Sequence, residues 1–242
     1  MSVRSSVNGS NYHPVRPVTG LVAIVLVFFA ASLITAREPS KEKIASLKRA
    51  VVIVTTYDDH GKPLLQGSGF FITPDHIVTN LHVISHASEI RVETFAGKTF
   101  TVQTIIATDA GSDLALLQVN CPRTDAVLQI ESATPTEGES IIVLSNPQGS
   151  RWKVTHGRVG RIWQFESFGR RMQVTAGIFP GSSGGPVLNQ RGQVIGIAVM
   201  HMDGADDLNF AVPAENLKRL QASASIAGNH GAARANQPGQ QQ

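Results

Sequence analysis

With 242 residues, 42% of them hydrophobic and 16% charged, the chain has the balance of a globular core carrying extra apolar sequence. Its net charge of +3 is spread along the chain with no dense basic block, which excludes the usual signature of a nucleic-acid-binding arm. A single cysteine, Cys121, excludes an intrachain disulfide, so packing alone must hold the fold.

Residues 1–19 are polar and read as a flexible tail. Residues 20–36, GLVAIVLVFFAASLITA, carry no charge. Lengthened by Pro17–Thr19 they reach roughly 25 to 30 Å as a helix, close to the apolar thickness of a bilayer. They read as a transmembrane anchor or as a signal segment cleaved near Ala30-Ala31-Ser32 or Ile34-Thr35-Ala36. Arg37, Lys41, Lys43, Lys48 and Arg49 outnumber Arg4 and Arg16 across this segment, a flank count that would keep the following domain inside.

SKEKIASLKR, Ser40–Arg49, predicts a short amphipathic helix with Ser40 as its N-cap and Ile44 and Leu47 on one face. From Ala50 onward a dozen short apolar runs, from VVIVTT to LNFAVP, alternate with Gly, Pro, Asn or Asp. That spacing predicts an all-β fold, an antiparallel barrel or sandwich. The polar stretch Cys121–Glu139 divides the runs into two halves, so two six-stranded antiparallel β-barrels are expected, one over about residues 50–122 and one over about 136–213. Cys121 follows an apolar run and reads as a buried or half-buried thiol. PAENLKRL, Pro213–Leu220, predicts a short C-terminal helix, and residues 221–242 read as disordered.

GSSGG, Gly181–Gly185, permits a turn tight enough for backbone N–H groups to converge, and alone it is equally a plain glycine-serine loop. A serine nucleophile needs a histidine base, usually held by a carboxylate, and donors for the oxyanion. His82 follows the apolar run HIVTN at the point where strand geometry ends. Asp113 precedes the apolar run Leu114–Val119, where it is either the orienting acid or a turn cap. His82 and His86, four apart, have a zinc spacing, but Val83 stands where a metallopeptidase would carry glutamate. The order His82, Asp113, Ser183 puts base and acid in the first half and the serine in the second, so a triad would lie in the cleft between barrels.

These stretches resemble the HtrA (Deg) family of trypsin-like serine proteases. The matching segments are GSGFFIT, HIVTNLHVI, GSDLALLQV, GESIIVLSNPQG, VTHGRVGRI, PGSSGGPVLN, GQVIGI and LNFAVP, in family order over residues 44–220. The resemblance implies Ser183 as nucleophile, His82 as base, Asp113 as orienting acid, and the N–H groups of Gly181 and Ser183 as oxyanion hole. It implies that Ala198, Val199 and Met200 hold an extended substrate strand, which accepts many sequences. Gly177 takes the place at which trypsin carries an acid selecting basic residues. With Ile178 and the apolar 198–200 segment it implies a small or medium apolar preference.

The resemblance implies polypeptide substrates, no metal and no cofactor, and it allows a homo-oligomer. The chain is expected to depart from the family in lacking a PDZ domain, and it departs in the short QFESFGRR segment and in Thr175 and Phe179 where Asp and Asn are common. The expected function is a membrane-tethered serine endopeptidase cleaving unfolded or specific envelope proteins on the periplasmic side of a bacterial inner membrane. The alternatives are a chaperone-like polypeptide binder on the same fold, a metal hydrolase using His82 and His86, and, for location, a domain that faces the cytoplasm or is released after cleavage.

Overall fold

The computed structural model describes residues 38–120, 126–131, 133–148, 150–202 and 208–235. The tail 1–19, the apolar segment 20–36 and Cys121 lie outside the described residues. Among those described, no helix is long and apolar enough to cross a membrane.

A helix, α1 (Lys41–Lys48), opens the described chain with Ser40 as its N-cap, the Ser40 hydroxyl accepting from the Lys43 N–H at 3.2 Å. Strands β1 (Val51–Tyr57), β2 (Pro63–Phe71), β3 (His76–Thr79), β4 (Glu89–Thr94), β5 (Thr99–Asp109) and β6 (Leu114–Val119) follow. They close a barrel in the order β1-β2-β3-β6-β5-β4. A one-turn helix, α2 (Leu81–Ile84), connects β3 to β4. Strands β7 (Ser140–Ser145), β8 (Lys153–Phe165), β9 (Gly169–Val174), β10 (Pro186–Asn189), β11 (Val194–Met202) and β12 (Leu208–Pro213) close a second barrel in the order β10-β11-β12-β9-β8-β7. Every pair of neighbouring strands is antiparallel, giving the two six-stranded barrels that the run spacing predicts.

Strands β6 and β7 read as continuous apolar runs because both of their faces are buried. Side chains alternate across a strand, and in β6 Ala115, Leu117 and Val119 fill the first barrel while Leu114 and Leu116 join a cluster shared with the second. In β7 Ile141 and Val143 fill the second barrel, and Ile142 and Leu144 reach the shared cluster. Phe70, Val78, Phe210 and Val212 meet there, with Leu47 from α1. Burial of a Leu, Ile or Phe side chain contributes about 1.5–3 kcal/mol, so this layer fixes how the barrels sit and where the cleft falls.

The C-terminal helix is longer than its sequence suggests. Helix α3 spans Ala214–Ala235, so residues 221–235, expected to be disordered, are helical. Leu217 and Leu220 are buried in the shared cluster and anchor its first turns. The alanine-rich continuation has high helix propensity, which the compositional reading of the tail overlooked.

Candidate active site

Helix α2 carries His82, and the turn between β5 and β6 brings Asp113 against it. Asp113 adopts φ 59°, a left-handed conformation in which Asp is among the better-tolerated residues. Four hydrogen bonds tie it to the start of α2. Its carbonyl accepts from the Leu81 N–H at 3.2 Å and from Asn80 Nδ2 at 2.9 Å. Its carboxylate accepts from the His82 N–H at 2.9 Å and meets His82 Nδ1 at 2.6 Å. Asp113 is therefore both turn cap and imidazole partner, the two readings its sequence position left open. With Nδ1 donating to Asp113, Nε2 is left as the proton acceptor of a neutral ring. No group of three or more His, Cys, Asp or Glu side chains is placed to hold a metal among the described residues.

Ser183 stands on the turn between β9 and β10. Gly184 has φ 87°, and a Cβ there would lie 2.0 Å from the Ser68 carbonyl and 2.5 Å from Thr79 Oγ1, so only glycine fits. Gly181 has φ 92°, and the Pro180 carbonyl accepts from the Gln148 N–H at 3.1 Å. Because the described peptides are all trans, the Gly181 N–H points the opposite way from that carbonyl. Neither the Gly181 nor the Ser183 N–H meets an acceptor among the described residues. Two free donors on one glycine turn are what an oxyanion requires.

The two adjacent serines have different surroundings. Ser182 is fully buried, its hydroxyl accepting from the Phe179 N–H and meeting Ser145 Oγ, both at 3.1 Å. Ser183 is partly open, and its hydroxyl donates to the Val199 carbonyl at 3.1 Å. Among the described residues no hydrogen bond joins that hydroxyl to His82.

The residues expected to contact substrate divide. Ala198 is buried in the second barrel's core and both of its backbone groups are taken, its N–H by Gly185 and its carbonyl by the Gly184 N–H, each at 2.8 Å. Ile178 is buried in the same core. Val199 is the bulged residue between Ala198 and Met200 in the pairing of β11 with β12, which aims its carbonyl at Ser183. Met200 lies on β11 itself. A Cβ on Gly177 would come 2.9 Å from the Phe179 ring, and Lys153 Nζ lies 3.8 Å from that ring's centroid.

Sequence reasoning missed three residues around the site. Ser68, in the glycine-flanked GSG of β2, binds the serine turn; a hydroxyl between two glycines in an apolar strand was the available signal. Asn146 donates from Nδ2 to the Val52 carbonyl at 3.1 Å and accepts from the Trp152 N–H at 2.9 Å, stapling the Pro147–Arg151 turn to the first barrel. Arg171, in QFESFGRRMQV, is 2% exposed, and no local pattern marks an arginine in a strand as buried.

A glycine turn carrying two adjacent serines, a carboxylate-held imidazole and a two-barrel frame together fit the trypsin-like class. A family profile for the trypsin-like peptidase domain matches residues 67–197, and the chain belongs to that family. It is 34% identical over 167 residues to a probable periplasmic serine endoprotease DegP-like of Chlamydia trachomatis, covering 64% of this chain and 33% of that protein. It is 32% identical over 164 residues to the periplasmic serine endoprotease DegP of Escherichia coli, covering 64% of this chain and 34% of that one. It is also 28% identical over 179 residues to the anti-sigma-I factor RsgI9 of Acetivibrio thermocellus, covering 74% of this chain and 25% of that protein. The chain thus spans a quarter to a third of the length of these relatives. Among solved structures, the serine endoprotease from Yersinia pestis superposes with a TM-score of 0.67 at 25% identity, covering 79% of this chain and 69% of that one. The active form of a Mycobacterium tuberculosis protease shares the fold, with a TM-score of 0.68 at 21% identity over 90% of this chain and 93% of that one.

Proposed function

We propose that the protein is a serine endopeptidase in which Ser183 attacks the peptide carbonyl, His82 accepts and returns the proton, and Asp113 holds the imidazole. The observation that carries this reading is the 2.6 Å contact between His82 Nδ1 and Asp113, together with a serine turn whose Gly181 and Ser183 N–H groups meet no acceptor among the described residues. Attack begins with rotation of the Ser183 hydroxyl from the Val199 carbonyl to His82 Nε2. The proton passes to the imidazole as the Oγ–C bond forms, and the oxyanion is held by the N–H groups of Gly181 and Ser183. Collapse breaks the C–N bond, with His82 protonating the leaving amine. Water, activated by the same imidazole, then hydrolyses the acyl-enzyme.

The substrates are extended polypeptides, unfolded or specific envelope proteins, paired against the chain after Ala198. Cleavage after small or medium apolar residues, rather than Lys or Arg, fits glycine at position 177. The apolar segment 20–36 tethers the domain to a bacterial inner membrane, with the domain in the periplasm; the periplasmic endoproteases among its relatives support that side. Protease accessibility in spheroplasts tests this orientation.

A fluorophosphonate probe should label the wild-type chain and not Ser183→Ala, and casein hydrolysis should disappear with the label. The hydrogen bond from Ser183 to Val199 favours a second reading, a polypeptide binder whose serine stays parked. A folded wild-type chain that never labels, yet binds unfolded casein, would replace the protease reading with that one.

A further inference from the structure

The four bonds that tie Asp113 to α2 all come from Asn80–His82, two to its carbonyl and two to its carboxylate. They make Asp113 and His82 one body, but both belong to the first barrel, whereas Ser183 stands on a turn of the second. Those bonds do not set where the pair lies relative to the serine turn.

Ser112 carries a bond that does. Asn216, on the first turn of α3, donates from Nδ2 to Ser112 Oγ at 2.7 Å. The two residues are 104 positions apart and both are buried, at 3% and 7% exposure. Ser112 is joined by its peptide bond to Asp113. Its N–H donates to Asp109 Oδ1 at 3.2 Å, and the Asp113 N–H donates to the Ala110 carbonyl at 3.3 Å. The turn that sets Asp113 at φ 59° is thus held from within by two backbone donors and from outside by Asn216. A left-handed conformation at a non-glycine residue persists only where its surroundings hold it.

The Asn216 amide is itself aimed. Arg219 Nη2, one helical turn on, donates to Asn216 Oδ1 at 2.6 Å. A guanidinium only donates, so the atom facing it is the oxygen, and the nitrogen faces Ser112. Glu215, the residue before Asn216, pairs with Arg170 of β9, the strand that leads into the serine turn. Adjacent residues of α3 therefore reach the Asp113 turn on one side and the serine-bearing barrel on the other. A cavity of about 940 Å³ lined by Ser112, Arg170, Asn216 and Arg219 lies alongside, so packing there is sparse and the polar contacts carry the connection.

We propose that Asn216 is a positioning residue for the His82–Asp113 pair: through Ser112 it fixes the β5–β6 turn, and with it the base and its acid, against the barrel that carries Ser183. This rests on the protease reading above. Losing the bond disturbs the alignment of base and nucleophile, which governs kcat, and leaves the contacts that bind substrate in place.

The test compares wild type, Asn216→Ala, Ser112→Ala, the double variant and Ser112→Thr in the full chain. Three readouts are used: kcat and KM on casein, the rate of fluorophosphonate labelling, and hydrogen exchange over residues 106–113 with β7 as reference. In each alanine variant kcat and labelling rate are expected to fall about tenfold or more, with KM within about twofold. Exchange over 106–113 should quicken while β7 keeps its protection. The double variant should lose no more than the worse single, since all three lack the same bond. Ser112→Thr, which keeps the hydroxyl, should retain the wild-type kcat. A folded Asn216→Ala chain that labels at the wild-type rate overturns the proposal, as do losses that add in the double variant. If Asn216→Ala does not fold, Ser112→Ala, which leaves Arg219 its acceptor, carries the same comparison. A wild type that never labels defeats the protease reading alone, and exchange over 106–113, which needs no turnover, then decides whether Asn216 holds the turn.

Discussion

Ser68 Oγ donates to the Gly181 carbonyl at 2.8 Å, so a side chain of the first barrel fixes the serine turn of the second. The same hydroxyl accepts from the Asn146 N–H at 2.8 Å, and the Ser68 N–H donates to the Ser183 carbonyl at 2.7 Å. One residue therefore grips the turn on both sides of the proposed oxyanion donors. Ser68→Ala leaves the Gly181 carbonyl and the Asn146 N–H unpaired in a buried place, at a cost of about 1–3 kcal/mol of stability. Because the donors lose their alignment, kcat should fall about tenfold to a hundredfold with KM little changed. Steady-state kinetics beside a denaturant melt measures both, and an unchanged kcat would remove Ser68 from the oxyanion argument.

Asp113→Asn keeps the left-handed backbone, which Asn tolerates, and keeps an acceptor for the His82 N–H. What it loses is the anion opposite Nδ1, so the imidazole is free to take the wrong tautomer. A drop in kcat of about 10³ to 10⁴-fold is expected, with melting temperature nearly preserved. Full activity in this variant would show that another group orients His82.

Gly184→Ala puts a methyl 2.0 Å from the Ser68 carbonyl at a backbone angle that L-residues avoid. The clash is with backbone, which cannot swing aside. A loss of about 3 kcal/mol or more is expected, read as a large fall in the urea midpoint or as failure to fold.

Arg171→Met should leave the protein as stable as wild type or more so, since a buried cation with no ion pair among the described residues is replaced by an apolar side chain of similar length. The guanidinium binds its proton less tightly when folded than when unfolded, so its linkage makes stability rise only as pH approaches the arginine range. Between about pH 5 and pH 9 its cost is constant, and the gain in the variant should be flat across that window. A melt series in buffers spanning it provides the check.

The strands and their division into barrels were readable because short apolar runs broken by turn residues are local signals; β6 and β7 show such runs in six residues each. His82, Asp113 and Ser183 stood out as candidates because each sits where an apolar run meets a turn. Ser68 and Asn146 did not, because their importance comes from contacts across the barrel interface. Ser68 and Gly181 are 113 residues apart, and nothing near either one announces the other. The extent of α3 was misjudged for the opposite reason: a weakly polar tail carries helix propensity that composition alone does not separate from disorder. Likewise the resemblance set Ala198 against a substrate strand, and Ile178 entered the expected apolar preference, but their apolar character serves a core equally well.

The alternation that sends Leu114 and Leu116 one way and Ala115 and Leu117 the other limits how this chain can change in length. Adding or removing one residue inside β6 or β7 would exchange the contents of a barrel with those of the layer between barrels, mismatching volumes on both sides at once. Two residues would restore the parity but shift the ends of the strand, and with them Asp113. Insertions are therefore tolerable in the connections far from the cleft, such as the Asp58–Lys62 turn. The strands leading to His82, Asp113 and Ser183 are held to their present count.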